Sequence, residues 1–292
     1  MLTDKIIPQD ELKAKYVSVY SAEMIKPALS PFFETANADV WATMQTIYNV
    51  FVNVGMILVA FYLIVNLIEK RVQGREFNFI NDFTLPFFSF LFAYILLTNG
   101  FTLLKSLFEF GGGITKSFTE MDGLDDKATQ LGEQVWRGVL AKYGTGQGHK
   151  IRLTMRIVLL FQYLLINAIV FIPRFSVAFI CLYQVLRLLL KTTFAPLALA
   201  DTMTFSRFSE NNAVKFLRGY IADMLTGGVY AMIIIMSNAL ATGAVRKYVL
   251  LAADDASKFS LVEVSFMYGG FLAVMVIVMA MIKPFLQRVI TG

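Results

Sequence analysis

Long apolar stretches separated by short charged ones set the pattern of this chain. Residues 47–68 (IYNVFVNVGMILVAFYLIVNLI) carry no charge and would measure about 33 Å as a helix, enough to cross a hydrocarbon core. Residues 85–108, 221–240 and 264–282 repeat the pattern. The run 157–200 is roughly twice as long as one crossing needs. Pro173 and Arg174 fall near its middle, so a tight hairpin of two crossings is expected, with one long kinked helix as the alternative. The expected fold is therefore all-α, a polytopic helical membrane protein with about six transmembrane helices, an amphipathic N-terminal segment and one central extramembrane loop.

Between the crossings the pattern changes. Residues 1–46 are interrupted by Pro8, Pro27 and Pro31, and ELKAKYVSVYSAEMI alternates well enough for an interfacial or soluble amphipathic helix. GGG at 111–113 is expected to stop the second crossing. The central loop then holds an acidic knot (MDGLDD), a helical stretch (KATQLGEQVWRGVLAKY) and the glycine-rich GTGQGHKIR. After the long run, Phe205, Phe208, Phe216, Leu217 and Tyr220 oppose Arg207, Lys215 and Arg218, the pattern of a segment lying on the membrane surface. Four regions follow: an amphipathic segment (1–46), the first two crossings (47–108), the central loop (109–156) and a helical membrane domain (157–292).

Composition agrees with the pattern. Hydrophobic residues make up 57% against 16% charged, with a mean hydropathy of +0.62, which excludes an ordinary water-soluble domain. The net charge of +5 is the surplus that polytopic proteins carry in their loops and does not by itself call for nucleic acid. With six crossings, Lys and Arg are densest in the N-terminal segment and central loop, which places both termini in the cytoplasm. The N-terminus has no continuous apolar core of the kind a cleaved signal needs, so the first crossing is expected to direct insertion. Cys181 is alone, so neither a disulfide nor a thiolate metal site can form.

Candidate chemistry is sparse. The single histidine, His149, precludes a pair of imidazole ligands, and GTGQGHK lacks the lysine-serine ending and strand-helix setting of a phosphate loop. Asp122, Asp125 and Asp126 lack the alternating ligands of a calcium loop. Asp201 and Asp223 fall near expected crossing ends, where snorkelling explains them. No enzyme, cofactor or metal site is expected. What stands out is polar residues at helical spacing inside crossings. Gln45, Asn49 and Asn53 line one stripe, which must face protein or water; Gln184, Arg187 and Lys191 line another. The second stripe either faces a polar passage or snorkels to lipid phosphates. Pro196 frees carbonyls that Thr192, Thr193 and water could satisfy, so it marks a bent helix end beside protein or a wet cavity. Gly227, Gly228 and Ala231, with Gly269, Gly270 and Ala273, are small residues that let helices approach closely, within one subunit or between subunits.

The order of these parts resembles a known family. A polar N-terminal segment, two crossings, a sizeable loop, a hydrophobic run closing on APLALAD, the stretch SENNAVKFLRGYIAD and the glycine-containing MLTGGVYAMIIIM are similar to the TrbL-like membrane proteins of conjugative type IV secretion systems. The resemblance covers roughly residues 40–240, and its most specific piece is Ala195-Pro196 followed by the hydrophobic-basic helix. It implies a channel or scaffold subunit of the cytoplasmic (inner) membrane, without enzymatic activity. Such a subunit is a homo-oligomer within the lipid bilayer and works with other channel subunits and cytoplasmic ATPases; direct contact with nucleic acid is left open. It also implies an N-terminus and central loop outside the cell, opposite to the charge count. A stand-alone small-solute transporter is the alternative.

Overall fold

The structure, a computed structural model, describes residues 8–20, 26–34, 38–72, 83–120, 124–145, 150–200, 212–253 and 259–291. It is all-α apart from one short strand pair. The order is α1 (Gln9–Val19), a 3-10 turn (Lys26–Ala28), α2 (Pro31–Glu34), α3 (Ala38–Val72), α4 (Leu85–Thr119) and α5 (Leu124–Tyr143). Then come β1 (Gly144–Thr145), β2 (Lys150–Ile151), α6 (Leu153–Leu199), α7 (Asn212–Ala253) and α8 (Leu261–Thr291). β1 and β2 pair antiparallel, Gly144 opposite Ile151. Among the described residues, five helices (α3, α4, α6, α7 and α8) are long and apolar enough to cross a membrane, the architecture of a multi-pass membrane protein. Large apolar side chains point outward from all five, Ile57 at 69% and Phe161 at 68% exposure among them, as lipid-facing surfaces require.

The expected hairpin does not form. α6 is one helix of 47 residues, about 70 Å at helical rise. The reason lies in its buried stripe: Leu159, Ile166, Val170, Val177, Cys181, Val185 and Leu188 recur at steps of three, four or seven straight through Pro173. A turn would have broken that phase. Arg174, which suggested the turn, instead donates to the carbonyl of Val19 at the end of α1, where a helix C-terminus favours a cation. α4 likewise continues through 111–113, although three glycines were expected to end it. A side chain at Gly111 would strike Met224, and one at Gly112 would reach the Phe32 carbonyl at 2.6 Å, so both glycines serve close packing.

Two compact units divide the chain. The first comprises Met1–Ser30, Lys116–Leu182 and Val229–Ile282. In it α1 is a docked helix. Leu12, Tyr16 and Val19 are buried, Lys13 reaches Glu133 of α5 at 3.9 Å, and Tyr16 donates its hydroxyl to the Leu159 carbonyl at 2.7 Å. The Tyr16 ring also packs on Trp136 and Tyr163. The Tyr20 hydroxyl meets Ser265 Oγ at 2.8 Å.

The second unit comprises Pro31–Thr115, Tyr183–Gly228 and Lys283–Gly292. Its core sets Trp41 edge-on to Phe101 and Phe108, while Tyr48 donates to the Leu97 carbonyl at 2.9 Å. Gly55 lets α3 approach the end of α6, since a Cβ there would lie 3.1 Å from the Pro196 carbonyl oxygen. This unit carries the charged cluster described next.

Candidate functional site: a buried charge cluster

Gln184, Arg187 and Lys191 stand at steps of three and four on α6 and therefore share a face. What that face meets is a carboxylate. Asp223, in the first half of α7, is fully buried, and Lys191 Nζ lies 2.5 Å from its Oδ2. Arg187 Nε is 3.7 Å from the same oxygen, and Lys283 Nζ, near the end of α8, is 3.8 Å from Oδ1. Gln184 ties the group together. Its amide donates to the Asp223 carbonyl at 3.0 Å and lies 3.4 Å from Oδ1, and its own oxygen accepts from Lys283 at 2.5 Å. Lys283 also sits over the Tyr183 ring, 5.6 Å from its centroid, a favourable cation–π placement.

A carboxylate withdrawn from water must be paired, and among the described residues three cations pair with it. The burial is graded: Asp223 is 0% exposed, Lys283 14%, Lys191 25% and Arg187 34%. Among the described residues, three cations against one carboxylate leave an excess of two positive charges, and that excess lies at the more exposed edge of the cluster. The arrangement can hold helices together around a charge, and it can present positive charge to an anion; it contains no nucleophile paired with a base.

Two members escape a sequence reading. Asp223 is not a snorkelling residue at a crossing end but the fully buried hub of the cluster. Asp201, read the same way, lies outside the described residues. Lys283 falls just beyond the expected sixth crossing, yet the apolar helix runs on to Leu286 and carries the lysine with it. The apolar Phe285 and Leu286 after KP were the available signal.

The other expected residues fall elsewhere. Gln45, Asn49 and Asn53 are exposed along α3 and take no part in the cluster. Pro196 is buried but does not break α6, which continues to Leu199. The threonine hydroxyls do not turn to the carbonyl that Pro196 frees. Thr193 donates to Leu189 at 3.0 Å, and the single Thr192 proton goes either to the Leu188 carbonyl or to the Tyr220 hydroxyl, each at 2.9 Å. Thr192 Oγ1 also meets the Tyr220 hydroxyl at 2.9 Å, which donates onward to the Leu104 carbonyl at 3.0 Å and so joins α6, α7 and α4.

Among the small residues, Gly227, Gly228 and Ala231 are buried, and a Cβ at Gly227 would press on Phe32 at 2.7 Å. Gly269 is buried with Ile169 of α6 at 2.7 Å from its Cβ position, whereas Gly270 and Ala273 are exposed. Lys215 and Arg218 are exposed in the first turns of α7, and Arg207 lies outside the described residues, as do His149 and Asp122. Residues 212–220 are therefore not a separate surface segment but the start of α7, with Tyr220 buried. No family model matches this chain, and no curated protein or solved structure matches it either.

Proposed function

We propose that this chain is an integral channel or scaffold subunit of a type IV secretion apparatus in the cytoplasmic membrane, acting as an oligomer with other channel subunits and cytoplasmic ATPases. The order of parts that resembles the TrbL-like proteins supports the reading. The observation that carries it physically is the outward stripe of Gln45, Asn49 and Asn53 on α3. Amides on a membrane helix need protein or water to bond, and an oligomer that encloses a conduit supplies both. Exposed Gly270 and Ala273 add a second place where copies could approach closely.

Five crossings change which segments share a face but still leave more Lys and Arg on the face of the N-terminal segment and central loop, fourteen against eight, so the orientation taken here follows the resemblance and not the charge count. The segment before α3 and the segment after α8 then lie on opposite faces. Lys70, Arg71 and Arg75 follow the first crossing, Arg207 precedes the fourth with Lys215 and Arg218 in its first turns, and Lys283 and Arg288 close the fifth, all on one face. By the resemblance that face is cytoplasmic, and α1, α5 and the strand pair lie on the other.

The test is a donor strain whose own copy carries Gln45→Leu, Asn49→Leu and Asn53→Leu together. At about 0.6 kcal/mol for each interhelical hydrogen bond, self-association weakens roughly twentyfold. Transfer should fall and crosslinked ladders should collapse to monomer, while expression and membrane extraction stay unchanged. Normal transfer at matched protein level overturns the reading, and so does solute uptake by proteoliposomes of the purified chain alone, which is the behaviour of a stand-alone transporter.

A further inference from the structure

Among the described residues the cluster around Asp223 holds two more positive charges than negative ones, and its least buried members are two of the cations. Arg187 and Lys191 keep 34% and 25% of their side chains exposed. Around them on α6, Tyr183, Leu186, Leu190 and Phe194 are all exposed, at 57%, 50%, 58% and 46%. A positive edge is thus framed by outward apolar side chains on a helix that is long and apolar enough to cross a bilayer. The ammonium of Lys191 lies over the backbone of α7, 3.7 Å from the Cβ position of Gly219. Lys215 and Arg218 extend the positive region along α7 to its first turns.

We infer that Arg187, Lys191 and Lys283 form a binding site for the phosphate of an anionic phospholipid, with Asp223 and Gln184 as its positioning residues. A phosphodiester supplies the negative charge the cluster lacks, and its oxygens accept from guanidinium and ammonium donors better than water does in this setting. Asp223 holds Lys191 and Lys283 from the buried side, and Gln184 fixes Lys283 by accepting a hydrogen bond from its ammonium. The cations are thereby ordered before any lipid arrives. The exposed leucines and aromatics of α6 then cover the acyl chains. A free phosphate ion would use the same donors but none of the apolar frame, and a nucleic acid would meet that frame unfavourably. Basic pockets between membrane helices commonly hold anionic headgroups in this manner. The inference concerns the isolated chain and does not rest on the secretion reading.

The experiment uses the purified full chain in nanodiscs of phosphatidylcholine, with or without about 20 mol % phosphatidylglycerol. Thermal unfolding and retained phosphatidylglycerol after detergent exchange are both measured. The anionic lipid should raise the unfolding midpoint of the native chain. Arg187→Gln with Lys191→Gln should abolish that rise and lower lipid retention about twenty-five-fold, at roughly a factor of five per cation. The exposed pair Arg246→Gln with Lys247→Gln should change neither. If the double variant at 187 and 191 does not fold, Lys283→Gln alone must reduce retention, and Asp223→Asn, which leaves three cations unneutralised, must widen the difference between neutral and anionic discs. An equal midpoint rise in both double variants overturns the site. So does equal protection by millimolar inorganic phosphate in neutral discs, or displacement of the lipid by a single-stranded oligonucleotide.

Discussion

Tyr220 shows what one hydroxyl does inside an apolar structure. It donates to the carbonyl of Leu104 and meets the Thr192 hydroxyl, so a single oxygen links three helices. Both contacts are buried, where lost hydrogen bonds are not replaced by water. Tyr220→Phe should therefore lower stability by about 1–2 kcal/mol, seen as a lower unfolding midpoint in detergent. Tyr94→Phe, at a side chain 45% exposed, is the control and should be close to neutral. If both substitutions are equally silent, the bridge contributes nothing to the fold. The tyrosine was legible in the sequence only as part of an apolar stripe; which face of α7 meets α4 and α6 is a packing outcome.

At the scale of elements, α1 is the most informative. Its sequence alternates weakly, and the same pattern suits a membrane surface or a protein groove. The structure selects the groove on α5, and the two tyrosines at its end set the terms of docking. Burial, the largest cause, pushes the hydroxyls of Tyr16 and Tyr20 well above the ordinary tyrosine value of about 10, although the hydrogen bond to Ser265 partly offsets the rise for Tyr20. The folded state favours the neutral phenol. The stability that both supply is thus full below about pH 10 and is lost as pH climbs from there toward their raised folded values. Alkaline titration should release α1 before the rest of the unit. Trp136, 5.8 Å from the Tyr16 ring, reports the step by fluorescence in a Trp41→Phe background. Tyr16→Phe should move the onset to higher pH; an unchanged onset would mean that the helix is held by other contacts.

For the whole molecule the decisive quantity is the number of crossings, because an odd number separates what an even number keeps together. One uninterrupted α6 makes five candidates. With Cys181→Ser as background, Thr145→Cys on β1 and Arg288→Cys near the end of α8 are both exposed positions. In intact cells an impermeant maleimide should label position 145 and spare position 288 until the membrane is opened. Equal labelling of the two sites would rule out five crossings. In the unsubstituted chain the buried Cys181 thiol should stay unlabelled in either condition, since apolar surroundings give it no access.

The sequence by itself determined the class of this protein and the rough place of most of its membrane helices. Hydrophobic length is a local property, and lipid demands that every backbone group in a crossing be satisfied within its own helix. It also marked Gln184, Arg187 and Lys191 as one face, because helical periodicity is local too. It could not show that Asp223 and Lys283 complete that face, since they come from helices separated from it by loops and meet it only through packing. Nor could it decide whether Pro173 turns the chain. A proline removes one hydrogen bond, and only the continuity of the buried stripe on α6, matched by Arg174 finding the end of α1, made a single long helix the better solution. Tertiary structure decided these points because each depends on a partner remote in sequence, and the free energy of pairing a buried charge or filling a groove exists only once that partner is in place.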